Sequence, residues 1–154
     1  MTLKEKITAD LKDAMRAKDN VRRDTLRLID SAIKNVEIEK RSASRRSETG
    51  LGDEEVLEVI GRAVKQHLDS IRQFTDGGRK DLAEKEQIEL DIIMPYLPAQ
   101  LSEDEIRATV KEVIASFGAA SKADIGKVMG QAMGRMKGKA DGNLVKKIVE
   151  EYLQ

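Results

Sequence analysis

The chain has 154 residues, and its 28 Lys/Arg are balanced by 28 Asp/Glu. The absence of cysteine excludes disulfides, thiolate zinc sites and cysteine nucleophiles, and the single His67 excludes a multi-histidine metal site. With aromatics at 3% and no tryptophan, any core must be built from Leu, Ile, Val, Met and Ala.

Nearly every segment reads as helix. Thr2-Leu-Lys-Glu5 has the spacing of a capping box, and Leu3, Ile7, Leu11 and Met15 follow at a spacing of four. After Asp19-Asn20 a second helix carries Val21, Leu28, Ile29, Ala32, Ile33 and Val36. Its apolar stripe stops near Ile38, so the basic stretch from Lys40 to Ser47 is expected to be a frayed helix end or a loop. The order of segment 39–52 is left open. Asp53-Glu-Glu55 opens a third helix, with acids at the positive end of its dipole. Val56, Ile60, Val64, Leu68 and Ile71 line this helix, and Asp76-Gly-Gly78 stops it. A fourth helix from about Arg79 to Met94 has a thinner stripe of Leu82, Leu90, Ile93 and Met94.

Pro95 and Pro98 forbid a continuous helix through Pro-Tyr-Leu-Pro, which marks the expected domain boundary. Beyond it, Ser102-Glu-Asp-Glu105 is another capping box, and Ile106, Val110, Val113, Ile114 and Phe117 run to a stop at Gly118. Asp124 is read as the cap of a sixth helix containing Ile125, Val128, Met129, Ala132, Met133 and Met136, broken at Gly138. Asp141 is read as the cap of a last helix containing Leu144, Val145, Ile148, Val149, Tyr152 and Leu153. The fold class is therefore all-α. A four-helix bundle-like domain over 1–95 is joined by a proline hinge to a three-helix domain over 99–154.

Charge is uneven along this frame. Residues 1–50 hold 13 Lys/Arg against 9 Asp/Glu, a net +4, and residues 51–99 hold 6 against 11, a net −5. Between residues 122 and 147 there are seven bases and two acids, a local +5 on a neutral chain, and such a surface attracts phosphate. Lys137-Gly138-Lys139 lies between two helices. Reachable backbone N–H groups beside lysines suit a phosphate, and a helix end with solvated lysines explains the same residues. Gly126, Gly130 and Gly134, at a spacing of four, form a smooth helix strip for the close approach of an RNA backbone or, more commonly, of a neighbouring helix. Lys127, Arg135, Lys146 and Lys147 are candidate backbone contacts or a solvated face. Met129, Met133 and Met136 are read as core ahead of an adaptable partner surface.

Other polar groups carry less. Arg41, Arg45 and Arg46 with Ser42, Ser44 and Ser47 read as a flexible charged loop. His67, beside the stripe of the third helix, reads as a boundary residue with a water or carboxylate partner. Glu84, Glu86 and Glu89 read as helix-face charges with no acid–base couple. No catalytic residue, metal set or cofactor site is assigned. No apolar run approaches a membrane span and the N-terminus does not resemble a secretory signal, so a cytoplasmic protein is expected.

Three stretches carry a family resemblance. Gly77-Gly-Arg-Lys-Asp-Leu-Ala-Glu-Lys-Glu86 resembles the turn and fourth-helix opening of the GatB/YqeY family. Tyr96-Leu-Pro-Ala-Gln-Leu-Ser102 resembles its inter-domain hinge. Gly126-Lys-Val-Met-Gly-Gln-Ala-Met with Lys137-Gly-Lys-Ala-Asp-Gly142 resembles the tail shared with the GatB subunit of glutamine-dependent tRNA amidotransferase. The resemblance covers essentially the whole chain as a free-standing YqeY-like protein. It implies an accessory relative of a carbon–nitrogen ligase that uses glutamine as amido-N donor. The catalytic domain of that ligase is separate and has no counterpart here. What carries over is contact with tRNA or a tRNA-handling enzyme through Lys127, Arg135, Lys137, Gly138, Lys139, Lys146 and Lys147. Where such tails tend to have Asn-Pro, this chain has Asp141-Gly142, which puts a negative charge beside the proposed contacts. The alternative is a protein–protein adaptor without a nucleic-acid role.

Overall fold

In the computed structural model, the described residues are 1–43, 50–118 and 121–153, and they contain seven α-helices and no strand. The all-α expectation is met. The chain divides into two compact units, Met1–Leu97 and Pro98–Gln154.

The first unit holds α1 (Leu3–Arg16), α2 (Asn20–Ala43), α3 (Asp53–Asp76) and α4 (Lys80–Ile93), which runs on into a 3₁₀ turn at Met94–Tyr96. The Thr2–Glu5 capping box forms in both directions. Glu5 N–H donates to Thr2 Oγ1 at 3.2 Å, and Thr2 N–H donates to Glu5 Oε2 at 2.7 Å. The α1 stripe is corrected at its end, where Ala14 is buried and Met15 is half exposed. A spacing of four drifts by about 40° per step on a helix of 3.6 residues per turn, whereas the seven residues from Ile7 to Ala14 nearly restore the face. Helix α2 is corrected too: it buries Leu26, Ile29 and Ile33 and leaves Val21 and Leu28, seven residues apart on another face, outside.

The core of this unit is Ile7, Ile29, Ile33, Leu51, Val56, Val59, Ile60, Leu90 and Ile93. Two carboxylates of α2 are buried with partners. Asp30 meets Lys34 at 2.7 Å. Glu37 accepts from Lys4 Nζ at 2.5 Å and from Leu51 N–H at 3.3 Å. The Lys4 ammonium, with help from the Leu51 amide, holds the Glu37 carboxyl below its ordinary range. Helix α2 continues through Ala43, beyond the end of its apolar stripe near Ile38, so Arg41 and Ser42 are helical and not part of a loop, and Lys40 reaches Glu55 of α3 at 2.7 Å. Ser44, Arg45, Arg46 and Ser47 lie outside the described residues.

Helix α3 ends at Gly77-Gly78, where Gly78 takes φ +74° and Arg79 N–H donates to the Phe74 carbonyl at 2.8 Å. With three residues between them, α3 and α4 form an antiparallel hairpin. Tyr96, at the end of this unit, is fixed to α1. Its hydroxyl donates to Asp10 Oδ2 at 2.5 Å, and Lys6 Nζ lies 5.6 Å from its ring centroid.

The second unit holds α5 (Glu103–Phe117), a 3₁₀ turn at Lys122–Asp124, α6 (Ile125–Met136) and α7 (Gly142–Tyr152). The Ser102–Glu105 capping box is present, and Gly118 ends α5 in the left-handed conformation at φ +60°. The core consists of Ile106, Val110, Val113, Val128, Ala132, Met136, Val145, Ile148, Val149 and Leu153. The methionines belong to it: Met136 is buried, and Met129 and Met133 pack against the cluster. Arg107 donates to Glu103 of its own helix at 2.8 Å and to Glu151 of α7 at 2.7 Å, which holds Glu151 below the usual carboxylate range. Asp124 and Asp141 occupy the positions before α6 and α7 without a capping hydrogen bond from their side chains. No helix among the described residues is long and apolar enough to cross a membrane.

Candidate nucleic-acid interface

The lysine–glycine motif of the tail is a tight turn. Lys137 has φ −56° and ψ 124°, Gly138 follows at φ +74°, and Lys139 N–H donates to the Met136 carbonyl at 2.9 Å. These are the features of a type II β-turn, whose third position needs a positive φ and therefore favours glycine. The two carbonyls that follow are also engaged. Gln100 Nε2 donates to the Gly138 carbonyl at 2.8 Å, and Leu101 N–H donates to the Lys139 carbonyl at 2.8 Å. The Lys139 amide closes the turn, so the chemistry this motif offers an anion is mainly the charge of its two exposed lysines.

Helix α6 presents its glycines outward. Gly126, Gly130 and Gly134 are exposed, and a Cβ on any of them would meet no atom of the described residues within 4 Å beyond its own stretch of helix. The strip is therefore not a seat for a neighbouring helix in this unit, although that is the commoner use of such a pattern. The buried face of α6 is carried by Val128, Ala132 and Met136. On a 100° helical wheel the glycines lie on the opposite side, with Lys127 at their edge. Arg135 lies farther round and pairs with Glu112 of α5 at 3.5 Å. Lys146 and Lys147 are exposed on α7. Lys127, Lys137, Lys139, Lys146 and Lys147 thus all offer their side chains to solvent on one small three-helix unit.

A second polar group, in the first unit, is formed by residues that the sequence reading kept apart. His67 of α3 is partly buried, and its Nδ1 lies 2.5 Å from Glu86 Oε2 and 3.8 Å from Glu89 Oε2 of α4. The reading of His67 as a residue with a carboxylate partner holds. The reading of Glu86 and Glu89 as helix-face charges does not. The inner row of α3 runs Ile60, Val64, His67, Ile71, Phe74, with Leu68 half exposed, so the imidazole takes the stripe position assigned to the leucine. Across the hairpin, Ala83 and Leu90 are buried and the partly buried Glu86 falls between them. Polar residues interrupting both apolar rows, ten residues before Gly77 and eight after Gly78, are the signal that finds this pair.

An all-α chain with a basic glycine-bearing tail defines the class of protein to which this one is similar. The match to the family described as "Yqey-like protein" extends over residues 4–153, and the chain belongs to that family. It is 33% identical over 152 residues to "Altered inheritance of mitochondria protein 41, mitochondrial" of Pyrenophora tritici-repentis, covering 96% of this chain and 79% of that protein. The protein of the same name from Kluyveromyces lactis is 39% identical over 108 residues, 68% of this chain and 55% of the relative. For Saccharomyces cerevisiae strain YJM789 the identity is 36% over 132 residues, 81% of this chain and 67% of the relative. The chain thus spans from about half to four-fifths of the length of these relatives.

Proposed function

We propose that this YqeY-like chain is an accessory protein that contacts tRNA, or an enzyme handling tRNA, through the tail formed by α6, the Met136–Lys139 turn and α7, with no catalysis of its own. The observation that carries this reading is the open glycine strip of α6 beside exposed lysines. A helix surface without side chains lets a sugar-phosphate backbone approach closely, and lysines at its edge neutralise phosphates. Lys127, Lys137, Lys139, Lys146 and Lys147 supply charge, and Arg135 joins them by exchanging Glu112 for a phosphate. Gly138 sets the angle of the two lysines that flank it. The only aromatic ring of α6 and α7 is Tyr152, which Lys111 covers at 5.4 Å. Recognition would therefore rest on shape and charge ahead of base stacking. The proposed relation to carbon–nitrogen ligase chemistry rests on the resemblance of this tail to that of the GatB subunit alone.

Salt titration of tRNA binding tests the proposal. Affinity is expected to fall steeply as salt rises. The double charge reversal Lys137→Glu/Lys139→Glu should reduce the slope of log affinity against log salt by about two, roughly one for each lost phosphate contact. Absence of binding at low salt would remove the RNA reading and leave a protein adaptor. Binding with an unchanged slope in the variant would remove these lysines from the site. We likewise propose a cytoplasmic compartment. Fractionation tests it, with mitochondria, named in the relatives, as the other outcome.

A further inference from the structure

The His67–Glu86–Glu89 group lies in the first unit, away from the residues of the proposed tRNA contact in the sequence, and it has the chemistry of a metal site. One imidazole nitrogen and two carboxylate oxygens lie within 4.8 Å of one another, and their side chains are only 17–23% exposed. Glu86 and Glu89 are three residues apart and so share a face of α4, while His67 faces them from α3. Donors around a first-row divalent ion sit about 2.0–2.2 Å from the metal, which spaces neighbouring donors at roughly 3–3.5 Å. The 2.5 and 3.8 Å separations here bracket that spacing, so side-chain adjustments on the order of 1 Å would suffice.

The sequence context adds a second argument. Glu86 and His67 occupy positions in otherwise apolar helix rows, where an unpaired polar group is costly. A His–Glu hydrogen bond satisfies one acid and one ring nitrogen, and Glu89 remains farther from the ring. A divalent cation would neutralise both carboxylates and take the imidazole lone pair.

We propose that His67, Glu86 and Glu89 bind one first-row divalent transition metal ion of the Zn²⁺ class, which staples α3 to α4. A mixed nitrogen and oxygen donor set suits Zn²⁺ or Mn²⁺, whereas Mg²⁺ favours oxygen ligands and retains its waters. Three protein donors leave coordination positions for water, so the ion would remain accessible to a small anion.

His67 is the only histidine, so one imidazole signal reports the site without assignment work. Tag-free, chelator-treated protein is titrated with ZnSO₄. Calorimetry follows stoichiometry, and long-range ¹H–¹⁵N spectra follow the ring nitrogens. Saturation at one ion per chain, a Zn²⁺-dependent shift of the Nδ1 resonance and a raised Tm are expected, with no Nδ1 shift from MgCl₂ at the same concentration. Glu86→Gln and Glu89→Gln, which keep side-chain shape and whose helicity is checked by circular dichroism, should each weaken Zn²⁺ binding at least about tenfold. An unmoved Nδ1 resonance would overturn the proposal. So would Zn²⁺ affinity that survives both substitutions together, because a solitary imidazole would then account for it.

Discussion

Tyr96 shows how much one side chain can fix. Its hydroxyl donates to Asp10 and its ring lies under Lys6, which ties the end of the first unit back to α1. Burial, reinforced by the Asp10 carboxylate, pushes the phenol up to about 12 from its ordinary 10. A folded-state pKa above the unfolded one contributes stability that is fully present below about pH 10 and is lost as pH rises through about 12. Stability should therefore fall across that window, and Tyr96→Phe should flatten the fall while costing about 1 kcal/mol at neutral pH. Urea unfolding of both proteins at several alkaline pH values measures this. An identical alkaline loss in the variant would assign the effect to other groups. The family-like motif around Tyr96 was legible in the sequence. Its partner was not, because Asp10 lies 86 positions away and local pattern carries no trace of such a pairing. The same holds for Asp53, which accepts from Leu3 N–H at 2.9 Å across 50 residues, and for Glu37, whose burial follows from Lys4 and Leu51 arriving from elsewhere.

At the scale of the element, capping boxes and stop glycines were readable because their chemistry is local. Thr2–Glu5, Ser102–Glu105, Gly78 and Gly118 all act within a few residues of the helix ends they define. Faces were less readable wherever a strict spacing of four stood in for the true helical period. That substitution promoted Met15 over Ala14, and Leu68 over His67. The glycine strip of α6 was readable as a strip, but its occupant was not, since only the packed unit reveals which side the neighbours take. Because no atom of the described residues beyond the local helix stands within 4 Å of the missing Cβ positions, Gly126→Ala, Gly130→Ala and Gly134→Ala meet no clash there. Each should stabilise the tail by up to about 1 kcal/mol, the cost of glycine in a helix interior. If RNA comes close to the strip, the triple variant binds tRNA more weakly while melting at a higher temperature. Thermal denaturation paired with tRNA titration reads both, and a stabilised triple variant with undiminished affinity would deny the strip a role in contact.

At the scale of the molecule, each hydrophobic cluster of the described residues draws its members from one unit. Residues from Leu3 to Leu97 make up one cluster with its packed neighbours, and residues from Leu101 to Leu153 make up the other. Fragments 1–97 and 98–154, produced separately, are therefore expected to be helical and to unfold cooperatively, the shorter with the smaller margin because small domains bury less of their surface. Circular dichroism melts of the two pieces test this, and a fragment without a cooperative transition would mean that it needs the other for its core. This division of the clusters has a genetic consequence. A substitution that ruins Ile60 or Leu90 should abolish whatever depends on the first unit and leave the basic tail folded, while one at Val110 or Ile148 should do the reverse. Null alleles of this gene should then fall into two classes, and a pair with one from each should be able to complement in trans for any task that needs only one half at a time.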